Sequence, residues 1–273
     1  MRGQNLENLS GKVIVITGCA GLLGKAICKY LHNQNCQVVG LDTAEDFSDQ
    51  CLICEHSVGK HTPKYMRVDI TDHAAMTAAK DAIIDSIGIP WGLVNMAALD
   101  APPGDDATVN GPLETIEIEN FRKVIDVNVT GAFIAAQVFG GAMAKTGGGS
   151  IVFSGSVYGQ VSPRQGIYQY RRDKGENFYK PAAYSVSKSA LLNLTKYLAT
   201  YWSKDSVRVN TLVLAGVFNN QDEEFLSGYL EHVPLGRMAE IDDITGAISF
   251  MLSQASSYMT GTSLIIDGGY TSW

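Results

Sequence analysis

Residues 13–24 read VIVITGCAGLLG, and this stretch decides the fold. The run Val13, Ile14, Val15, Ile16, Thr17 is apolar and β-branched at successive positions, the pattern of a strand buried on both faces of a parallel sheet. Gly18, Gly21 and Gly24 follow at spacings of three and lead into the helical run KAICKYL. A glycine turn that closes a strand and opens a helix aims backbone N–H groups and the helix N-terminus at one point, where a pyrophosphate can sit. Side chains there would forbid the turn or hold the ligand away.

Outward from this unit the same rhythm continues. Strand-like runs occur at 37–42 (QVVGLD), 65–70 (YMRVDI), 91–97 (WGLVNMA), 150–155 (SIVFSG), 207–214 (VRVNTLVL) and 263–267 (SLIID). Segments of helical period lie between them, to about Asn33 and Ile87, from about Asn120 to Lys145, from about Ala182 to Trp202, and near Asp242 to Leu252. Seven such strands with right-handed crossovers predict an α/β, doubly wound Rossmann-type fold, a seven-stranded parallel sheet with helices on both faces. Residues 1–273 are read as one catalytic domain. Three stretches break the rhythm and read as loops: Thr43 to Lys64, Leu99 to Leu113, and Gly159 to Pro181.

Composition narrows the function. Hydrophobic residues at 45% supply a core, and the formal net charge of −7 argues against a nucleic-acid footprint. The N-terminal MRGQNLENLSGK has no apolar leader run, and no membrane-spanning apolar stretch is expected. All five cysteines lie before Glu55, an odd and clustered set that suits a reducing cytoplasm better than a disulfide framework. Cys51, Cys54, His56 and His61 have the residue types of a zinc site but too tight a spacing, so no metal is expected.

Asp42, 24 residues after Gly18 at the end of the second strand, can accept hydrogen bonds from adenosine ribose hydroxyls and would repel a 2′-phosphate. No Arg or Lys lies between Gly18 and Gly24, so NAD is favoured over NADP. Asp69 can meet the adenine amino group or start the next helix; both readings stand.

Hydride transfer at a carbinol needs a proton carrier, and a tyrosine serves if a nearby cation lowers its pKa from about 10. A lysine four residues on shares its helix face. That spacing occurs twice, as Tyr170/Lys174 and Tyr184/Lys188. The first lies in the charged YRRDKGEN, which has no apolar stripe. The second sits in a helix whose Val186, Leu191, Leu194 and Leu198 predict an anchored face, so Tyr184 and Lys188 are preferred. Ser156, ending the fifth strand, is placed to share the substrate oxygen.

TGCAGLLG, Asp42, VDI at 68–70, NMAA at 95–98, VNVTG at 127–131, SGSVYG at 154–159, YSVSK at 184–188, RVN at 208–210 and TGTSLIIDGGY together resemble the single-domain short-chain dehydrogenases/reductases over essentially the whole chain. The resemblance implies Tyr184 as acid/base and Lys188 as the residue that lowers its pKa and holds the nicotinamide ribose. Ser156 would orient the carbonyl, and Asn128 would continue a water-mediated proton path. It implies cofactor contacts from Gly18, Gly21, Leu22, Leu23, Gly24, Asp42, Asp69, Ile70, Asn95, Ala97, Tyr184, Lys188 and Val217, and a homo-oligomer, tetramer or dimer. The chain departs from the family pattern at Leu22, at Met96–Ala98 and at Leu214–Ala215. The Gly18, Gly21, Gly24 spacing is more like that of nucleotide-sugar epimerases and dehydratases.

Ser156 and Tyr184 stand 28 residues apart, about twice the family's usual gap, and the surplus is a basic, aromatic insertion at about 159–182. Its arginines suit carboxylate or phosphate recognition and its tyrosines suit sugar rings. Ser156, Tyr158, Arg164, Arg171 and Arg172 are therefore expected to bind an anionic, sugar-like substrate. The insertion and GVFNNQDEEFL look similar, more loosely, to dehydrogenases of bacterial surface-sugar and flagellin modification. The expected function is an NAD(H)-dependent interconversion of a secondary alcohol and a ketone. An NAD-using epimerase or dehydratase, or a catalytically silent NAD-binding regulator, stays open.

Overall fold

Alternate residues of each central strand feed two different cores, because successive side chains leave a strand on opposite faces. The computed structural model describes residues 8–45, 64–100 and 107–273. In it β1 (Val13–Thr17), β2 (Gln37–Asp42), β3 (Lys64–Arg67), β4 (Gly92–Asn95), β5 (Gly149–Ser156), β6 (Val207–Leu214) and β7 (Ser263–Ile266) form one parallel sheet in the order β3-β2-β1-β4-β5-β6-β7. This is the expected Rossmann-type order, reversing direction between β1 and β4, and ligands of such sheets bind at the carboxyl ends beside that reversal.

On one face Ile14, Ile16, Val38 and Val152 pack against α1 (Leu22–Asn33) and the final helix. On the other, Val13, Val15, Leu41, Ile151 and Phe153 meet α2 (His73–Ser86), α3 (Ile118–Lys145) and the helix bearing Tyr184. α3 is long and apolar enough to cross a membrane by length and composition, but about half of its apolar window is buried in this core, with Phe139 fully buried. It runs continuously through two π turns, the first at Asp126–Gly131.

The stretch expected to be an irregular loop after β5 is partly helical. A 3₁₀ turn at Gln165–Tyr168 leads into α4 (Gln169–Asp173), and α5 (Ala182–Tyr201) follows after Pro181. Ile167, Tyr168 and Phe178 from this stretch pack with Tyr158, Tyr229, Val233, Met238 and Tyr270 into a third, mainly aromatic core. α6 (Glu223–Leu230), which supplies Tyr229, and α7 (Asp242–Leu252) complete the set. Short helical turns also occur at Ala107–Asn110 and Leu113–Thr115, inside the second expected loop. The expected anchor of α5 needs one correction. Val186 is exposed, and the buried stripe is Ala183, Ser187, Leu191, Thr195 and Leu198, with Leu194 only partly covered. Cys51, Cys54, His56 and His61 lie outside the described residues.

Candidate active site

The nucleotide end is shaped by backbone. Gly18 has φ +67°, and a Cβ there would stand 2.6 Å from the Ala97 nitrogen. One on Gly24 would stand 2.1 Å from the Gly18 oxygen. Gly21 differs: its Cβ would meet only the Gly18 oxygen, at 3.4 Å, an ordinary contact. Nothing inside the protein demands glycine there, so the space beside Gly21 fits a close-lying ligand. α1 begins at Gly21 without a side-chain cap and without an acid in its first turn, whereas Asp72 caps α2 through the Ala75 N–H. The free N–H groups and the helix dipole suit a pyrophosphate.

Asp42 reaches across the end of β2, accepting from Ala20 N at 2.8 Å and Ala44 N at 3.2 Å. Asp69 accepts from the backbone N–H and hydroxyl of Thr71 at 2.9 and 2.8 Å, forming a turn, and Asp72 rather than Asp69 starts α2. Asn95 is buried and accepts from Thr17 Oγ1 at 2.8 Å, and that hydroxyl accepts from Ala97 N at 3.3 Å, tying the ends of β1 and β4. The Ile70 side chain is buried in the core, where it occupies the space beside Gly131. Leu22 is exposed and Leu23 lines the cleft, as does Val217.

The chemical end opens where β5 gives way to the aromatic core. Ser156, Tyr158, Tyr168, Tyr184, Tyr229 and Met238 help to line a cleft of about 530 Å³. Ser156 Oγ accepts from Tyr158 N at 3.2 Å and lies near enough to the Tyr184 phenol to ease its ionisation. Lys188 lies on the same face of α5, with Nζ 5.5 Å from the centroid of the Tyr184 ring, and donates to the Ser154 carbonyl at 2.7 Å. Burial pushes the Tyr184 phenol up and, with help from Asp100, outweighs Ser156, which works the other way. Burial pushes the Lys188 ammonium down to about 8. The lowering of Tyr184 by Lys188 expected from the sequence is therefore not the balance found here; desolvation dominates both groups.

Asn128 lies in the first π turn of α3 with its amide fully used. Its Oδ1 accepts from Leu99 N at 2.7 Å, and its Nδ2 donates to Leu99 O at 2.9 Å and to Ser187 Oγ at 3.0 Å. Ser187 Oγ in turn donates to the Tyr184 carbonyl at 2.7 Å. The geometry makes Asn128 a clamp between the segment after β4 and the first turns of α5.

Of the competing pair, Tyr170 lies on the five-residue α4, but Lys174 is already past its C-terminal end, so the two are not held on one helix face as Tyr184 and Lys188 are. The Tyr170 phenol is committed to Asp222 at 2.8 Å, and Lys174 to Glu224 at 2.6 Å.

The arginines depart from expectation. Arg171 is buried, pairs with Glu176 through Nε at 2.6 Å and through Nη2, and lies over the Phe178 ring; its Nη1 has no partner. Arg172 donates to the carbonyls of Phe178 and Gln165 at 2.9 and 2.7 Å and stacks on Tyr179. Arg164 meets His232 at 3.2 Å. Arg164 and Arg172 stitch the insertion to itself and to its neighbours, whereas Arg171, though paired with Glu176, lines the cleft together with Ser156 and Tyr184. An arginine's fork satisfies backbone carbonyls as readily as a carboxylate, and composition does not distinguish the two.

Two residues that sequence reasoning passed over stand in the cleft. Lys180, at the end of the insertion, forms an ion pair with Asp100 and holds Nζ 4.7 Å from the Tyr184 ring centroid. Only the excess of basic residues in the insertion pointed that way.

Residues 18–271 match the family described as enoyl-(acyl carrier protein) reductase. Galactitol 2-dehydrogenase (L-tagatose-forming) of Cereibacter sphaeroides is 31% identical, covering 99% of each chain. The chain belongs to the short-chain dehydrogenase/reductase family. An NADH-dependent L-xylulose reductase of Ambrosiozyma monospora is 28% identical over 96% of each chain. A short-chain dehydrogenase of Leptospira borgpetersenii with bound NAD+ superposes with a TM-score of 0.84 at 27% identity, covering 99% of this chain and 97% of that one. This short-chain dehydrogenase/reductase is an oxidoreductase of CH–OH groups that takes a nicotinamide dinucleotide and a small hydroxylated molecule.

Proposed function

We propose that the protein interconverts a secondary alcohol and a ketone on a polyhydroxylated, sugar-like substrate with NAD(H). The single observation that carries this reading is the convergence of Ser156, Tyr184 and Lys188 at the carboxyl end of β5, beside a cleft that the insertion walls with aromatic rings. The galactitol and L-xylulose relatives support a polyol or sugar. Asp42 supports NAD, because its carboxylate stands at the end of β2 where a 2′-phosphate would be repelled. Of the arginines expected to meet an anionic substrate, Arg164 and Arg172 are engaged inside the protein, while Arg171 stands on the cleft wall with its Nη1 unpartnered. The insertion, on which the likeness to surface-sugar enzymes rests, still favours a sugar-like substrate.

When bound, the nicotinamide takes or gives the hydride. Gly18, Gly21, Gly24 and the start of α1 would hold the pyrophosphate, Asp42 the adenosine ribose, and Lys188 the nicotinamide ribose. Tyr184 is held protonated by its burial and is ready to donate to a ketone oxygen. Ser156 holds that oxygen against the phenol. In the oxidation direction the same phenol must first lose its proton, a step that Ser156 favours and burial opposes.

Exposed Phe133 on α3 and Val186, Tyr197 and Tyr201 on α5 support a symmetric oligomer built through these helices.

The test is a screen of polyols and sugar alcohols with NAD and with NADP, read at the NADH absorbance. Turnover should appear with NAD and fall by about 10²-fold or more in Tyr184→Phe, the range of general acid–base catalysis. NADH binding should persist in that variant. Full activity in Tyr184→Phe would remove the mechanism.

A further inference from the structure

Lys180 has only 8% of its side chain exposed, while its partner Asp100 keeps 52%. Both line the cleft that holds Ser156 and Tyr184. A buried ammonium requires a counter-charge; a half-exposed carboxylate does not. The pair therefore offers the cleft a fixed cation beside a half-exposed carboxylate.

Both ends are pinned by amide side chains. Gln165 clasps Lys180, its Oε1 accepting from the backbone N–H at 2.9 Å and its Nε2 donating to the carbonyl at 3.0 Å. Asn128 clasps Leu99, the residue before Asp100, in the same two-handed way. The backbone on either side of the pair is thus fixed before any ligand arrives, which lowers the cost of ordering the site on binding.

We propose that Lys180 and Asp100 are the substrate's second anchor, Lys180 donating to and Asp100 accepting from a hydroxyl on the carbon next to the reacting carbinol. This rests on the dehydrogenase reading and narrows its substrate to vicinal diols. A hydroxyl both donates and accepts, and so uses both members of the pair. The 4.7 Å from Lys180 Nζ to the Tyr184 ring places the anchor beside the group that handles the carbinol oxygen.

The experiment compares galactitol with 2-butanol, which has a reacting carbinol but no second hydroxyl, in the wild type, Lys180→Met, Lys180→Arg and Asp100→Asn. Lys180→Met should lower the ratio of kcat/KM for galactitol over 2-butanol at least tenfold, mainly through KM. Asp100→Asn should shift it the same way by less, and Lys180→Arg should recover part of the loss. An unchanged ratio, or an equal fall for both alcohols, overturns the proposal; the latter would place the pair's effect on Tyr184 or on the fold.

A calorimetric titration of galactitol into NAD-loaded Tyr184→Phe, with and without Lys180→Met, reads binding without turnover. Affinity lost with Lys180→Met supports the anchor, and equal affinity overturns it. If the wild type turns over neither alcohol while Lys180-dependent binding persists, the dehydrogenase reading fails and the anchor stands.

Discussion

The two halves of the cleft are built from opposite materials. At the nucleotide end, side chains are kept away: Gly18 and Gly24 leave no room for a Cβ, Gly21 leaves room for a ligand, and α1 is uncapped. At the substrate end, charged side chains crowd in and neutralise one another, as Lys180 with Asp100, Arg171 with Glu176 and Lys174 with Glu224. A cofactor shared by many enzymes can be met by backbone alone. A particular substrate needs side chains, and these must be paired when buried.

The sharpest way to break this contrast is at the glycines. Gly24→Ala forces a methyl to 2.1 Å from a backbone oxygen and should yield protein that neither binds NADH nor unfolds cooperatively, as followed by fluorescence titration and circular dichroism. Gly21→Ala should fold with an unchanged melting temperature yet weaken NADH on the order of tenfold, about 1.4 kcal/mol. Equal damage from both would mean that Gly21 serves the fold and not a ligand.

Asp42→Asn tests the proposed preference for NAD. The ratio of kcat/KM for NAD over NADP should fall roughly tenfold, again about 1.4 kcal/mol.

On the charged side, Arg172→Ala deletes donors to two backbone carbonyls. With bonds from charged donors contributing about 1.5 kcal/mol or more each, the melting temperature should drop by roughly 5 °C. KM should change by the same factor for neutral and acidic substrates. A selective rise for acids would restore Arg172 as a recognition residue.

The legibility of the sequence follows the same division. VIVITGCAGLLG could be read because its constraint is local: the atoms that exclude a Cβ at Gly24 belong to Gly18 and Cys19. The strands and the Tyr184/Lys188 face were likewise set by short-range period. The insertion could not be read so. Its arginines have targets five to seven residues off or across the chain, and Lys180 pairs with a residue 80 positions away. Charge in a sequence announces that a partner exists but not which one. Nor did α6 show itself as a helix, because its apolar residues serve an aromatic core that the insertion completes.

The smallest effect expected is a pH dependence confined to the charged half. Lys188 is pushed from its ordinary 10.5 to about 8 in the fold. Between these values the unfolded chain binds the proton and the folded one does not, so stability should rise as pH climbs from about 8 to 10.5. Below that window the fold bears the full cost of the buried charge. Denaturant midpoints of the cofactor-free protein should show this rise, and Lys188→Met should lack it. A parallel rise in the variant would assign the effect to other groups.

Gly159 has one further consequence. A Cβ there would press to 2.8 Å on the main chain of Lys188, and its carbonyl accepts from Ser189 Oγ at 2.8 Å. Pro181, at the far end of the excursion, adjoins the first turn of the same helix. The excursion thus leaves from and returns to a single rigid post. Substitutions at its exposed positions can change what the cleft meets while both of its ends stay fixed to the helix that carries the proton carrier.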